Sequence, residues 1–182
     1  MRNVILLHGV GDSPDSFWLP YIRAALQKRG YDVWSPQLPD HMNPNLAVQL
    51  PFVLQNGVFT SETIIIAHSA GCPLTLAVLE NISVKIKQAI LVAGFFKPIG
   101  QLEFVKAITK EYYDWKKIKN NVEQFIAINS DNDPWGCTDE QGRVMASQIG
   151  GTLIVPYGEG HMGSNTHNQP YTDFLLLLKL IE

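Results

Sequence analysis

The segment Thr63-Ile-Ile-Ile-Ala-His-Ser-Ala-Gly-Cys-Pro73 decides how the chain folds. Its β-branched run predicts a buried strand that ends at a serine between small residues, and a helical pattern starts directly afterwards. This is the form of a nucleophile elbow, a sharp strand-to-helix turn that exposes the serine hydroxyl. Strand and helix backbones pass close together there, so the positions two before and two after Ser69 must be small. They are Ala67 and Gly71, and alanine thus replaces the first glycine of the G-x-S-x-G pattern.

Two further predicted strands end in residues that could act together with this serine. Phe125-Ile-Ala-Ile-Asn129 is followed by Ser130-Asp-Asn-Asp-Pro134. Thr152-Leu-Ile-Val-Pro156 is followed by Gly158-Glu-Gly-His161. Because the carboxyl ends of parallel strands meet at one edge of a sheet, we expect the serine, an aspartate and the histidine to lie together. They also occur in the chain order serine, acid, histidine.

These residue types suit acyl transfer. A serine hydroxyl is a weak nucleophile, so it needs a base to take its proton during attack. We predict that His161 is this base, since an imidazole with an ordinary pKa near about 6.5 can accept the proton and return it. A carboxylate must stand behind the imidazole to hold its tautomer and balance its charge. Asp131 and Asp133 are both candidates.

Composition limits the class of protein. The 182 residues suit one domain, which we expect to span 1–182. The net charge is −3 and basic residues form no large cluster, which argues against nucleic acid or an anionic membrane as a partner. The first residues read as a core strand rather than a signal peptide, and no apolar run is long enough to span a membrane. We therefore expect a cytoplasmic location. Cys72 and Cys137 do not make a disulfide framework.

Strand and helix patterns alternate along the chain. Strands are predicted at 3–7, 31–35, 63–67, 88–92, 124–129 and 152–156, and helices at 18–29, 44–56, 70–82, 138–148 and 170–181. Such alternation, with continuously apolar strands, predicts an α/β fold. Its three layers are a doubly wound, mainly parallel sheet of about six strands with helices on both faces.

The segment 93–121 breaks this rhythm and is rich in aromatic residues. A lid that covers a substrate and a plain helical connection on the sheet surface are both open interpretations.

The chain resembles the α/β-hydrolase superfamily, and its small size resembles the serine hydrolases of the retinoblastoma-binding protein nine type. The resemblance rests on Leu6-Leu-His-Gly-Val-Gly11, Ala67-His-Ser-Ala-Gly71, and the acid and histidine segments above. It implies a minimal α/β-hydrolase fold and a serine hydrolase that cleaves carboxylic esters of a small-molecule acyl substrate. It favours Asp133, directly before Pro134, as the acid.

The resemblance also implies an oxyanion hole, a pair of backbone N–H groups that bind the negative oxygen of the tetrahedral intermediate. One N–H belongs to the residue after the nucleophile, here Ala70, at the start of a helix. The other is that of Val10, in the loop after the first strand. His8 is expected to brace this loop.

Apolar residues near the predicted strand ends suggest a pocket for an acyl or alkyl group. We predict substrate contacts from Phe17, Trp18, Phe95, Phe96, Trp135 and Met162. The histidines and cysteines lack the spacing of a zinc site, and no dinucleotide or P-loop fingerprint occurs, so we expect neither metal nor cofactor.

Two alternative functions fit the same sequence. The chain could be a non-catalytic protein-binding module on a hydrolase scaffold, although no feature indicates a protein partner. It could also be an amidase, a peptidase or a thioesterase, because these enzymes use the same three residue types.

Overall fold

Six parallel strands form one sheet in the computed structural model, which describes residues 2–100 and 103–181. The strands are β1 (Asn3–Leu7), β2 (Asp32–Trp34), β3 (Thr63–His68), β4 (Ile86–Val92), β5 (Val122–Ile128) and β6 (Thr152–Ile154). Their order across the sheet is β2-β1-β3-β4-β5-β6, and every neighbouring pair is parallel. The predicted parallel sheet is therefore confirmed.

Helices cover both faces of this sheet. They are α1 (Leu19–Lys28), α2 (Leu46–Asn56), α3 (Gly71–Asn81), α4 (Glu103–Ile108), α5 (Trp115–Asn120), α6 (Asp139–Ile149) and α7 (Leu175–Lys179). Helices α2, α3, α5 and α6 pack one against the next. The end of α1 meets α7 through Arg29, whose guanidinium donates to the carbonyl of Leu178 at 3.1 Å. None of the helices in the described ranges is long and apolar enough to cross a membrane.

The burial of the strands explains their composition. Every residue of β1 and β3 is buried, because helices cover both faces of these central strands. The short edge strands β2 and β6 are only partly buried. A buried strand needs apolar residues in succession, and this is why β3 has no alternation of polar and apolar residues.

The strand order reverses direction between β1 and β3. The chain passes from β1 outward to β2, then returns across β1 to place β3 on its other side. In open α/β sheets, the loops that leave such neighbouring strands diverge and leave a crevice at their carboxyl ends. Leu7 is paired with Ala67, so the loop after β1 and the turn after β3 start side by side.

Two expectations about regular structure differ from the observed fold. The last helix was predicted over 170–181 but covers only Leu175–Lys179. Tyr171 has a φ of 39° and Phe174 a φ of −153°, neither of which is helical, so the helix starts late. The outer strands are also shorter than predicted, because edge strands have only one neighbour to pair with.

A buried carboxylate joins α3 to the segment 93–121. Glu80, near the end of α3, accepts hydrogen bonds from the Lys110 ammonium and, at 2.7 Å, from the backbone N–H of Asp114. The Tyr113 ring is buried beside this pair, and burial raises the pKa of its hydroxyl. One side chain of α3 thus fixes the turn that leads into α5.

Glu80→Ala should lower the free energy of unfolding by about 2 kcal/mol, because it leaves the Asp114 N–H and the Lys110 ammonium without their acceptor. Glu80→Gln should cost less, since its amide oxygen can still accept from Asp114. Urea denaturation of both variants measures the effect. Glu62→Ala, at an exposed position, is the matched control. A cost no larger than that of the control would show that Glu80 does not anchor the segment.

Candidate active site

Ser69 lies in the strained turn between β3 and α3. Its φ is 52°, a left-handed conformation that few residues other than glycine adopt. The turn is held by two hydrogen bonds: Ser69 N–H donates to the Val92 carbonyl at 3.0 Å, and Cys72 N–H donates to the Ser69 carbonyl at 2.9 Å. The Ser69 side chain therefore lines an open cleft instead of packing in the core.

The two small residues that flank Ser69 differ in the space available for a side chain. A Cβ atom at Gly71 would lie 2.6 Å from the Leu7 carbonyl oxygen, so only glycine fits where α3 passes β1. Ala67 is fully buried within β3, and its methyl group is accommodated there. The alanine in the first position of the motif is thus compatible with the turn.

The loop after β1 is braced by His8. Its Nδ1 donates to the Gly9 carbonyl at 2.9 Å, and its Nε2 accepts from the Leu38 N–H at 3.0 Å. These two bonds fix the neutral tautomer, and burial lowers the pKa of the imidazole. Val10, two residues after His8, lines the cleft. The N–H of Ala70, at the start of α3, has no acceptor within the helix.

Asp133, and not Asp131, lies against His161. Asp133 Oδ2 is 2.7 Å from His161 Nδ1, and its Oδ1 accepts from the Trp135 N–H at 2.8 Å. Both partners of this pair are buried. The carboxylate of Asp131 instead accepts from the Gly158 N–H at 2.8 Å in an exposed position. The imidazole of His161 is thus oriented by Asp133 and borders the same cleft as Ser69.

The loop that holds Asp133 and the loop that holds His161 are joined side chain to backbone. Ser130 Oγ accepts from the Glu159 N–H at 3.1 Å, and Asn132 Oδ1 accepts from the Gly160 N–H at 2.8 Å. With the bonds of Asp131 and Asp133, four successive residues of one loop bind four successive residues of the other. The polar run after β5 therefore serves to place His161.

The cleft between these loops encloses about 410 Å³. Its apolar lining consists of Val10, Phe17, Met42, Phe95, Ile99, Val105 and Trp135. Its polar lining consists of Asp12, Ser69, Cys137, His161, Ser164, Asn165 and Thr166. Three of the six expected substrate contacts, Phe17, Phe95 and Trp135, are thus on the cleft wall.

The other three expected contacts do not belong to the lining formed by the described residues. Trp18 is fully buried, and its indole N–H donates to the Met162 carbonyl at 2.9 Å. Met162 is itself fully buried in the core. Phe96 packs edge-on against the Trp115 ring, with centroids 5.5 Å apart. All three side chains pack against other parts of the chain, and their contact with substrate stays a prediction.

The segment 93–121, for which both a lid and a plain helical connection are open interpretations, has features of each. Phe95, Ile99 and Val105 form part of the cleft wall. Helix α5 packs between α3 and α6 as a helical connection. The first part of the segment thus shapes the site, and the second part covers the sheet.

Sequence reasoning missed Asp12, which lines the cleft with a side chain only 13% exposed. Burial raises the pKa of its carboxyl to about 6, although the charge of His161 and a hydrogen bond from the Gly9 backbone act in the opposite direction. The position of Asp12 in the loop after the first strand could have indicated that it lies near the site. The direction of its side chain cannot be read from the sequence.

His68 is a buried neighbour of both loops. Its Nε2 donates to the His161 carbonyl at 3.0 Å, and its Nδ1 lies 3.9 Å from Asp12 Oδ2. Burial, followed by the charge of His161, lowers the pKa of His68 to about 3. His68 is therefore neutral near pH 7 and supports the histidine loop through its backbone.

Cys137 was also missed as a neighbour of the site. One ligand atom each from Asp133, Cys137 and His161 lie within 4.8 Å of one another, a spacing that a metal ion could bridge. Burial raises the pKa of the Cys137 thiol, which disfavours the thiolate that a metal prefers. Asp133 and His161 already bind each other, so a metal would have to displace this hydrogen bond.

Comparison with known proteins gives consistent results. A family model described as serine hydrolase matches residues 4–179. YdeN of Bacillus subtilis (strain 168), named as a candidate hydrolase, is 26% identical over 166 residues, 88% of this chain and 85% of YdeN. The crystal structure of the ydeN gene product has a TM-score of 0.90 at 24% identity and covers 99% of this chain and 96% of that chain.

More distant structures share the fold. Est1E from Butyrivibrio proteoclasticus has a TM-score of 0.70 at 12% identity, covering 98% of this chain and 83% of its own. A structure from a study of carboxylesterases of Nitrososphaera gargenis has a TM-score of 0.68 at 12% identity, covering 88% and 83%.

Asp12→Asn should stabilise the protein at pH 7.5 by about 2 kcal/mol. Because the pKa of Asp12 is about 6 in the folded protein and 3.8 is the ordinary value of an aspartate, the fold is most stable with Asp12 protonated. The stabilisation that the protonated Asp12 carboxyl gives to the fold is complete below about pH 4 and is lost as the pH rises through 6. The melting temperatures of wild type and variant, measured from pH 4 to pH 8, should therefore diverge with rising pH. Parallel curves would contradict a raised pKa.

Proposed function

We propose that this chain, which belongs to the serine hydrolase family within the α/β-hydrolase superfamily, cleaves carboxylic esters through an acyl-enzyme formed on Ser69. One observation supports this most directly. Asp133 Oδ2 and His161 Nδ1 are 2.7 Å apart, and His161 and Ser69 border one cleft. Besides the ester and a water molecule, the proposed reaction uses side chains and backbone groups of the chain itself.

In the first half of the reaction, Ser69 Oγ attacks the ester carbonyl carbon while His161 Nε2 takes the hydroxyl proton. Asp133 accepts the hydrogen bond from Nδ1–H and balances the charge of the imidazolium. When the tetrahedral intermediate collapses, the bond from carbon to the alcohol oxygen breaks. His161 gives its proton to the departing alcohol, and the acyl group stays on Ser69.

In the second half, a water molecule gives a proton to His161 and attacks the acyl-enzyme. The bond to Ser69 Oγ then breaks, the carboxylic acid leaves, and the proton returns to Ser69. In both halves, the backbone N–H groups of Val10 and Ala70 bind the oxyanion. Each such donor typically contributes about 10² to 10³ in turnover.

The shape and lining of the cleft favour a small ester over a protein partner. A volume of about 410 Å³ suits a small acyl or alkyl group, and much of the wall is apolar. The fold is shared with Est1E and with a structure from a study of carboxylesterases. Carboxylesterases, as their name states, act on carboxylic esters. Ser69 borders the open cleft, whereas a covered serine would favour a protein-binding module.

Ser69→Ala should abolish ester turnover and leave the fold intact, because only the nucleophile is removed. Intact-mass analysis after treatment with a fluorophosphonate, which reacts with activated serines, tests this directly. Wild type should gain one adduct and Ser69→Ala none. Ser61→Ala, which alters a serine in an exposed turn, is the control and should label like wild type. A folded wild-type protein that gains no adduct would refute the proposed mechanism.

Asp133→Asn should lower kcat by several orders of magnitude, because an amide holds the wrong tautomer of His161. Asp131→Asn should have a much smaller effect, since its amide oxygen can still accept from the Gly158 N–H. The two variants carry the same chemical change two residues apart, so ester kinetics compares them directly. A larger loss in Asp131→Asn would make Asp131 the acid of the reaction.

A further inference from the structure

Asp12 is an acidic side chain in a cleft that needs none for the proposed reaction. Apart from Asp12 and His161, the lining formed by the described residues carries no ionisable side chain other than the thiol of Cys137. No lysine or arginine of these residues lines the cleft to neutralise the carboxylate. A carboxylate that is mostly buried beside apolar groups calls for a cationic or hydrogen-bonding partner.

The carboxylate lies beside the nucleophile. Asp12 Oδ2 and Ser69 Oγ are 2.8 and 3.5 Å from a single point, the position that a Cβ atom would take at Gly9. Only a glycine leaves this space between them. A group bound by Asp12 would therefore lie next to the carbonyl that Ser69 attacks.

The protein itself satisfies this carboxylate only in part. The backbone of Gly9 contributes a hydrogen bond. The neighbouring side chain of His68 offers it no proton, because the Nε2–H of His68 is engaged with the His161 carbonyl and its Nδ1 lies 3.9 Å away. The Asp12 carboxylate thus retains acceptor capacity on the side that lines the cleft.

We propose that Asp12 binds an ammonium group on the acyl part of the substrate, so that the preferred substrates are esters of amino acids. An α-ammonium is two bonds from the scissile carbonyl carbon, which matches the placement of Asp12 beside Ser69. The Phe17 ring lines the same cleft and adds an aromatic surface that attracts cations. The apolar wall is left for the amino-acid side chain.

This inference rests on the proposed function and adds a substrate class to it. The ionisation state of Asp12 is compatible with it, because a pKa of about 6 leaves the carboxyl ionised near pH 7. The titratable groups that act on Asp12 are His161 and His41, which favour its ionised form, with the neutral His68 beside it. Burial opposes them, so the carboxylate is maintained against a cost in stability.

The test uses two matched esters, L-phenylalanine methyl ester and methyl hydrocinnamate, which lacks only the amino group. For wild type near pH 7, the ratio of kcat/KM values should favour the amino ester by about 10- to 100-fold. Asp12→Asn should bring this ratio close to one, mainly through KM. Asp15→Asn is the control, because Asp15 is exposed in the same loop and pairs with Arg23 at 2.6 Å. It should keep the wild-type ratio.

A second measurement separates this inference from the proposed function. Benzylammonium binding is measured by calorimetry, with benzyl alcohol as the neutral match, in wild type and in Asp12→Asn. Wild type should bind the ammonium compound more tightly, and the variant should lose that difference. This result with no turnover of either ester would refute the hydrolase mechanism and leave the ammonium site in place. A wild type that labels with fluorophosphonate but prefers methyl hydrocinnamate, or an Asp12→Asn variant that keeps the amino preference, would overturn the assignment of Asp12.

Discussion

The parallel pairing of β1 with β3 is the constraint on which the site depends. Their register sets Leu7 beside Ala67, so the loop His8–Val10 and the turn at Ser69 leave the sheet together. The strand order reverses between these two strands, and their loops therefore open a crevice. The close passage of α3 over β1 then leaves room only for Gly71. The elbow, the loop His8–Val10 and the cleft all follow from one pair of strands.

Polar contacts set the position of the histidine loop at the side of the cleft. Residues 130–133 bind residues 158–161 through a set of short hydrogen bonds. This explains why the segment after β5 is rich in short polar side chains, since each reaches a backbone N–H or the imidazole. Gln169 adds a bond from its Oε1 to the His161 N–H at 2.9 Å. The imidazole is thus positioned by two loops and a third segment before any substrate is bound.

Several features of the cleft cost stability. Phe17, Ser69 and Met162 have φ values near 50°, which is unfavourable for residues with side chains, and all three lie at or behind the cleft. Asp12 holds a carboxyl whose pKa is raised by burial. Strain and buried charge of this kind persist where the surrounding fold compensates for them, and here they surround one serine. The rest of the core is apolar and regular, which supplies that compensation.

The sequence by itself determined the alternation of strands and helices, the elbow at Ser69 and the order of serine, acid and histidine, because these follow from local periodicity and small-residue spacing. Tertiary structure decided the rest. Asp131 and Asp133 stand in the same turn, and only the approach of the second loop directs Asp133 to His161. Adjacent Phe17 and Trp18 point to the cleft and to the core, respectively. In loops, side-chain direction depends on what packs against the backbone from distant parts of the chain, and no local pattern encodes it.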